Sequence, residues 1–344
     1  MGRLRVVAGS VIVPLLVVSV ALSAAWWGGA RVTADARAPL ASALDALPAS
    51  VEVAGVTDWS SIREQVGVED ATLRDLATRS VLASSADEMA GAYGWSVGDL
   101  DWEAYGQSAA GGTLVARLSR SVSFDQVEKQ LRALGYRRTD GLWELDASGR
   151  ARIGPELAAV LGVVTTVPRR RLIVAGAEVG DVRRALAPIR HGARSLLDRR
   201  PVADLAAQLT GADVVLLQGG ATACAASALP DDPDVAAQAA AAVASAGRLV
   251  RPVWAGRAVS DDGSGQQIRF ATAYSSPVVA ADQADVRGAL ATGPFIGRTG
   301  QVEDSLDLTS ASAVGAVTVL SFDLDPDRGA YLSGEGPVLF ASCP

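Results

Sequence analysis

The sequence predicts an α+β protein: an N-terminal transmembrane helix, then an ectodomain of two similar halves, each a mainly antiparallel sheet with packed helices. Three observations carry this reading. Val6 to Ala25 is an apolar run with no charged residue. Beyond it, short β-branched runs alternate with segments of helical spacing, bounded by Gly, Pro and Asp. A six-residue word also recurs: Asp181–Leu186 matches Asp285–Leu290 at five of six positions. Lys129–Leu134 is a looser third copy, so duplication of a strand–helix unit is expected.

The apolar run comes first. Arg3 and Arg5 precede it, and Trp26 and Trp27 close it. About twenty apolar residues cross a ~30 Å hydrocarbon core as a helix. Arginine favours the cytoplasmic side and tryptophan the headgroup layer. Residues 1–30 therefore read as a signal anchor in contact with the lipid bilayer through residues 6–27, with the C-terminal part outside the cytoplasm. The rival is a cleaved signal peptide, with Ala21 and Ser23 or Ala34 and Ala36 at the cut. The run exceeds the usual apolar core of about 7–15 residues in such peptides. Residues 31–50 read as a juxtamembrane stalk, 51–200 as a first α+β domain and 201–344 as a second.

Val51, Val53 and Val56 suggest the first strand. Asp58 and Ser61 cap the next helix, with Glu64 completing a capping box, and Gly67 ends it. Asp70 opens a second helix through Val81. Thr113–Leu118 is a strand and Phe124–Leu134 an amphipathic helix. Asp140-Gly141 turns the chain into a return strand at Leu142, Trp143 and Leu145. Ala151–Val167 is helical and then extended. Leu172–Ala175 is a strand, followed by a helix over Val179–Leu186 that Pro188 stops. Leu196–Leu209 is a helix and Val214–Leu217 a buried strand. Asp232, Pro233 and Gly247 mark the start and end of an alanine-rich helix. Val253–Ser260 and Gln267–Tyr274 form a hairpin, and Ala281–Leu290 a helix. Ala313–Leu324 reads as one long strand and Val338–Ala341 as an edge strand.

Composition narrows the function classes. The net charge is −7, and −9 once Arg3 and Arg5 are set aside. An acidic ectodomain disfavours nucleic acid as a partner. The cluster Arg169–Arg171 is read as a solvated loop. Lys129 is the only lysine and His191 the only histidine. A phosphate loop needs a glycine-rich turn ending in lysine, and a Ser-His-Asp triad would have to be built on His191. Two cysteines and one histidine cannot supply a four-ligand zinc site, and no cofactor is expected. Cys224 and Cys343 are expected to pair in an oxidising compartment.

Three motifs invite a chemical reading. Arg190-His191-Gly192-Ala193-Arg194 resembles the histidine phosphatase signature over five residues. That chemistry needs a second histidine, so the segment is expected to be an exposed loop between helices. Asp323, Asp325 and Asp327 with Gly329 approach a calcium loop, but the glycine and Glu335 are each one place late and Pro326 interrupts. A solvated strand end is expected there. Residues 93–105 concentrate Tyr93, Trp95, Trp102 and Tyr105 around Asp99, Asp101 and Glu103. The four aromatics are candidate ligand-binding residues, against the plainer expectation that they fill a core. The functional expectation is a membrane-anchored extracytoplasmic binding or scaffolding module of the bacterial envelope, with an envelope protein or glycan as partner. The alternative is an exported carboxylate-dependent hydrolase acting on envelope glycans through residues 93–105.

Overall fold

The computed structural model describes residues 38–66, 79–261, 265–324 and 336–343. The expected anchor at 6–27, the helix from Asp70 and most of the aspartate loop lie outside them. Among the described residues no helix is long and apolar enough to cross a membrane.

The chain is α+β, built on one twelve-stranded sheet in which every pairing is antiparallel. α1 (Pro39–Ala46) leads into β1 (Val53–Thr57), α2 (Trp59–Val66) and α3 (Ala86–Tyr93). The hairpin β2 (Leu100–Ser108) and β3 (Gly111–Leu118) follows, then α4 (Phe124–Ala133). A small hairpin of β4 (Arg137–Thr139) and β5 (Leu142–Glu144) leads to α5 (Ala147–Leu161). β6 (Val163–Val167), β7 (Leu172–Gly176), α6 (Val179–His191) and α7 (Arg200–Gln208) complete this run. The remainder is β8 (Val214–Gly219), α8 (Pro233–Ala246), β9 (Trp254–Asp261), β10 (Gln266–Ala273), α9 (Pro277–Leu290), β11 (Leu306–Val314) and β12 (Val317–Leu324).

The spatial order is β11-β12-β10-β9-β8-β1-β2-β3-β7-β6-β5-β4. Alternation along each strand sends side chains to two faces. On one face, Val56, Ala104, Val115, Val174 and Leu217 pack under Leu44 of α1, Val182 of α6 and Leu205 of α7. On the other, Leu114, Ala116 and Ile173 pack under Trp59, Met89, Val127 and Leu157. Further along that face, Phe270, Leu320 and Phe322 pack under Val286 and Leu290 of α9 and under Phe340.

Several local signals act as read. Asp58 accepts from the Ser61 amide, and Asp232 caps α8 through the amides of Asp234 and Val235. Asp140 and Gly141 both take positive φ, 52° and 80°, as a tight hairpin between β4 and β5 requires. Other readings are corrected. α6 continues through Pro188 to His191 and ends at Gly192 with φ 65°. His191 is therefore an exposed helix end rather than a loop residue. The expected long strand Ala313–Leu324 is two strands, because Gly315 turns the chain at φ 58°. The expected edge strand Val338–Ala341 is instead a buried 3₁₀ turn over Leu339–Ala341, entered from Val338. α1, in the expected stalk, buries Leu40, Ala43 and Leu44 in the core. Arg171 is no solvated loop residue: it donates to the carbonyls of Leu118, Ser119 and Val122 and sits over the Phe124 ring. The two best-matching words lie on opposite faces of the sheet, since Val182 and Val286 belong to different cores. α9 is the first helix after β10, and α4, which carries most of the looser copy, is the first after β3.

Cys224 and Cys343 form a disulfide, with Cα atoms 5.5 Å apart. Arg287 reinforces the same junction. It is fully buried and donates to the Phe340, Ser342 and Val250 carbonyls and to the Tyr274 hydroxyl oxygen. The bridge closes a separation of 119 residues. Its removal by Cys343→Ser is expected to cost about 2–5 kcal/mol. Urea unfolding of the wild type with and without reductant, beside the variant, checks this. Equal midpoints for all three would refute it.

Candidate functional site

The aromatic-acidic stretch was the leading expectation for a site. Tyr93 and Trp95 are buried together, ring centroids 6.4 Å apart. Tyr93 also meets Tyr136, whose hydroxyl donates to the Leu161 carbonyl, and burial pushes the Tyr93 phenol up to about 12. Trp102 is buried in the core on the opposite face of the sheet. Tyr105 is half-buried on the Trp95 side, its hydroxyl pressed where Gly112 lacks a side chain. The fold thus brings Tyr93 and Trp95 together and sends Trp102 away from them.

The acids between them are engaged in local structure. Asp99 accepts from the Ser96 amide, and Asp101 pairs with Arg117 at 3.4 Å. Glu103 is buried beneath α2, where it accepts from the Trp59 indole, the Ser80 hydroxyl and the Val81 amide. Burial raises its carboxyl despite those three donors. Burial likewise raises Asp101, against the opposing pull of Arg117, and Asp213.

A different site emerges at one end of the sheet. Register places Gly219, Trp254, Ala273, Val317 and Val314 in one row across β8, β9, β10, β12 and β11. α7 runs beside the strand ends in this row. Between them lies a cleft of about 1090 Å³. Trp254 forms part of its wall, and a Cβ at Gly219 would collide with the indole, so glycine there makes room for the ring. The Arg199 guanidinium lies 4.9 Å from the Trp254 ring centroid and donates to the Ala49 and Val51 carbonyls. Arg200 is almost fully exposed, 3.7 Å from Asp204. Arg251 donates to the Ala221 carbonyl and also borders a smaller pocket beside the disulfide. The cleft thus sets Arg199, Arg200 and Arg251 against the single carboxylate of Asp204. This is a positive patch on an acidic chain.

The cleft is also where aliphatic surface is left open. The large hydrophobics exposed among the described residues are Val253, Val278 and Val314. Val253 and Val314 line the cleft, and Val278 follows its wall residue Pro277. Apolar surface rimmed by charge marks interaction sites. The sequence held two signals for this place: the Arg199-Arg200 pair, and Pro252-Val253-Trp254 directly after Arg251. Nothing in their spacing joins them, because the sheet register does so. Among the described residues no group of three His, Cys, Asp or Glu side chains is placed to hold a metal ion.

No protein-family model matches this chain, and no curated protein matches it. Three solved structures of TP0453 align with it. Crystal form I gives a TM-score of 0.39 at 9% identity, over 83% of this chain and 94% of that one. Form III gives 0.38 at 8% identity over the same shares, and form IV 0.40 at 8% over 86% and 98%. Likeness at that level is too loose to transfer any property.

Two outcomes are expected from this geometry. Trp95→Ala and Trp102→Ala should each destabilise the fold by about 3–5 kcal/mol, as loss of a buried indole does. Thermal unfolding reads this, and a variant that keeps wild-type stability would return that residue to the list of ligand contacts. The second concerns pH. A carboxyl raised in the folded state contributes most at low pH, where folded and unfolded chains both hold the proton. The contribution fades as pH climbs from about 4 through the raised folded value. Glu103→Gln should therefore gain stability relative to wild type as pH rises from 4 to 7, measured by urea midpoints. A difference independent of pH would show that Glu103 titrates normally.

Proposed function

We propose that this protein is a membrane-anchored, non-catalytic binding module working outside the cytoplasm in the bacterial envelope. Residues 6–27 hold it on the bilayer, and the cleft beside α7 receives an envelope partner. The cleft carries the reading: its cations and the exposed valines at its rim coincide in one concave surface, the usual signature of a recognition site. The Cys224–Cys343 bridge supports an oxidising compartment, since disulfides persist outside the reducing cytoplasm. The two halves are read as related. Counting outward from the β1–β8 seam, the orders 1-2-3-7-6 and 8-9-10-12-11 correspond strand for strand.

The test uses the full chain in its membrane. A photo-crosslinking residue replaces Val253 or Val314 at the cleft, or exposed Glu156 on α5 as a control. The cleft positions should yield one discrete product that the control does not. Adding Arg200→Glu with Arg251→Glu should cut that product about tenfold, the effect of roughly 1.4 kcal/mol, without lowering the melting temperature. Protease added outside the cell should digest the ectodomain. Identical products from cleft and control positions, or full protection from protease, would overturn the proposal.

A further inference from the structure

The lining of the cleft is charged at one end only. Arg199, Arg200 and Asp204 lie at and before the start of α7, and Arg251 lies just before β9. The stacking of Arg199 on Trp254 sets the start of α7 against the β9 end of the row. From β10 onward the lining holds Ala273, Pro277, Val314 and Ala316, and no charged residue. Tyr274 is buried there, and its hydroxyl oxygen accepts from buried Arg287. The register Trp254–Ala273–Val317–Val314 steps from β9 through β10 and β12 to β11. Three steps of about 4.8 Å put Val314 about 14 Å from the cationic end.

We infer that the cleft binds a single-chain anionic amphiphile, an alkyl phosphate in its simplest form. The head sits at Arg200 and Arg251, and the chain runs over Ala273 and Pro277 to Val314. The inference rests on the cleft being the binding site and names what fills it. Guanidinium N–H groups match phosphate oxygens in pairs, so two exposed arginines suit such a head. They outnumber Asp204, the one carboxylate in the lining, even with Arg199 held by Trp254 and the Ala49 and Val51 carbonyls. The uncharged end asks for apolar cover, since Val314 is 51% exposed. An alkyl chain supplies that cover without needing hydrogen bonds. Extended tetrahedral carbon advances about 1.25 Å per atom, so a chain of about twelve carbons spans the row.

The experiment photolabels the full chain in nanodiscs with dodecyl phosphate carrying a diazirine near its head or near its tail. Adducts are mapped by mass spectrometry and normalised to labelling of the nanodisc lipid. The tail reagent should mark residues 314–316 and the head reagent residues 251–253. Dodecanol with the tail diazirine should mark the cleft about tenfold less. Arg200→Glu with Arg251→Glu should lower labelling by the phosphate reagent equally, with the melting temperature unchanged. Unlabelled dodecyl phosphate should compete, and inorganic phosphate at the same concentration should not. Equal cleft labelling by dodecanol, the same marks from head and tail reagents, or displacement by inorganic phosphate would overturn the inference. If Val253 and Val314 crosslink a polypeptide while these reagents leave the cleft unmarked, the cleft remains a site and only the amphiphile assignment falls.

Discussion

Everything in this molecule depends on the seam between β1 and β8. β1 is five residues long and is paired on both sides, to β2 through Gly55–Tyr105 and to β8 through Gly55–Leu216. Those two ladders join the runs either side into one sheet. Because strand faces alternate, the seam's register also decides which side chains meet across the junction. Val56 and Val215 share the face under α1 and α7, while Thr57 and Glu103 share the face under Trp59. A one-residue slip would exchange these faces and set Glu103 against the aliphatic layer.

The cleft is a product of that same register. Its wall residues come from separate segments that share a row only because five strand ends align. Trp254 fits the row because Gly219 opposite it has no side chain, and Arg199 then stacks on the ring while holding the carbonyls that lead into β1. The seam and the cleft are thus mechanically linked through one arginine. α7, which forms the other wall, sits on the aliphatic layer through Val202, Leu205 and Ala206, leaving Arg200 and Asp204 to face outward.

Local chemistry made much of the fold legible. Asp232, Pro233 and Gly247 bracket α8 because each satisfies a backbone need within a few residues, and Asp140-Gly141 turns its hairpin for the same reason. Readings failed where tertiary context outweighed a local rule. Pro188 loses only one helical hydrogen bond, and α6 packed through Val182, Ala185 and Leu186 continues past it. Gly315 was masked by a run of β-compatible residues on both sides. α1 looked like a stalk because its alanines and leucines are uninformative until a partner face is known. The cleft was illegible for a deeper reason: Arg199, Arg251 and Val314 share no periodicity, and only the strand order brings them near one another.

The disulfide and Arg287 together impose an order of events. Phe340, Ser342 and Cys343 follow in the chain the residues they touch: Cys224 on one side, Arg287 of α9, Phe270 and Phe322 on the other. A chain emerging amino end first therefore exposes Phe270 and Phe322 before Phe340 arrives to cover them. It also carries Arg287 without the Phe340 and Ser342 carbonyls that accept its hydrogen bonds in the finished fold. The segment from Phe340 to Cys343 is in this sense a latch on the sheet made before it.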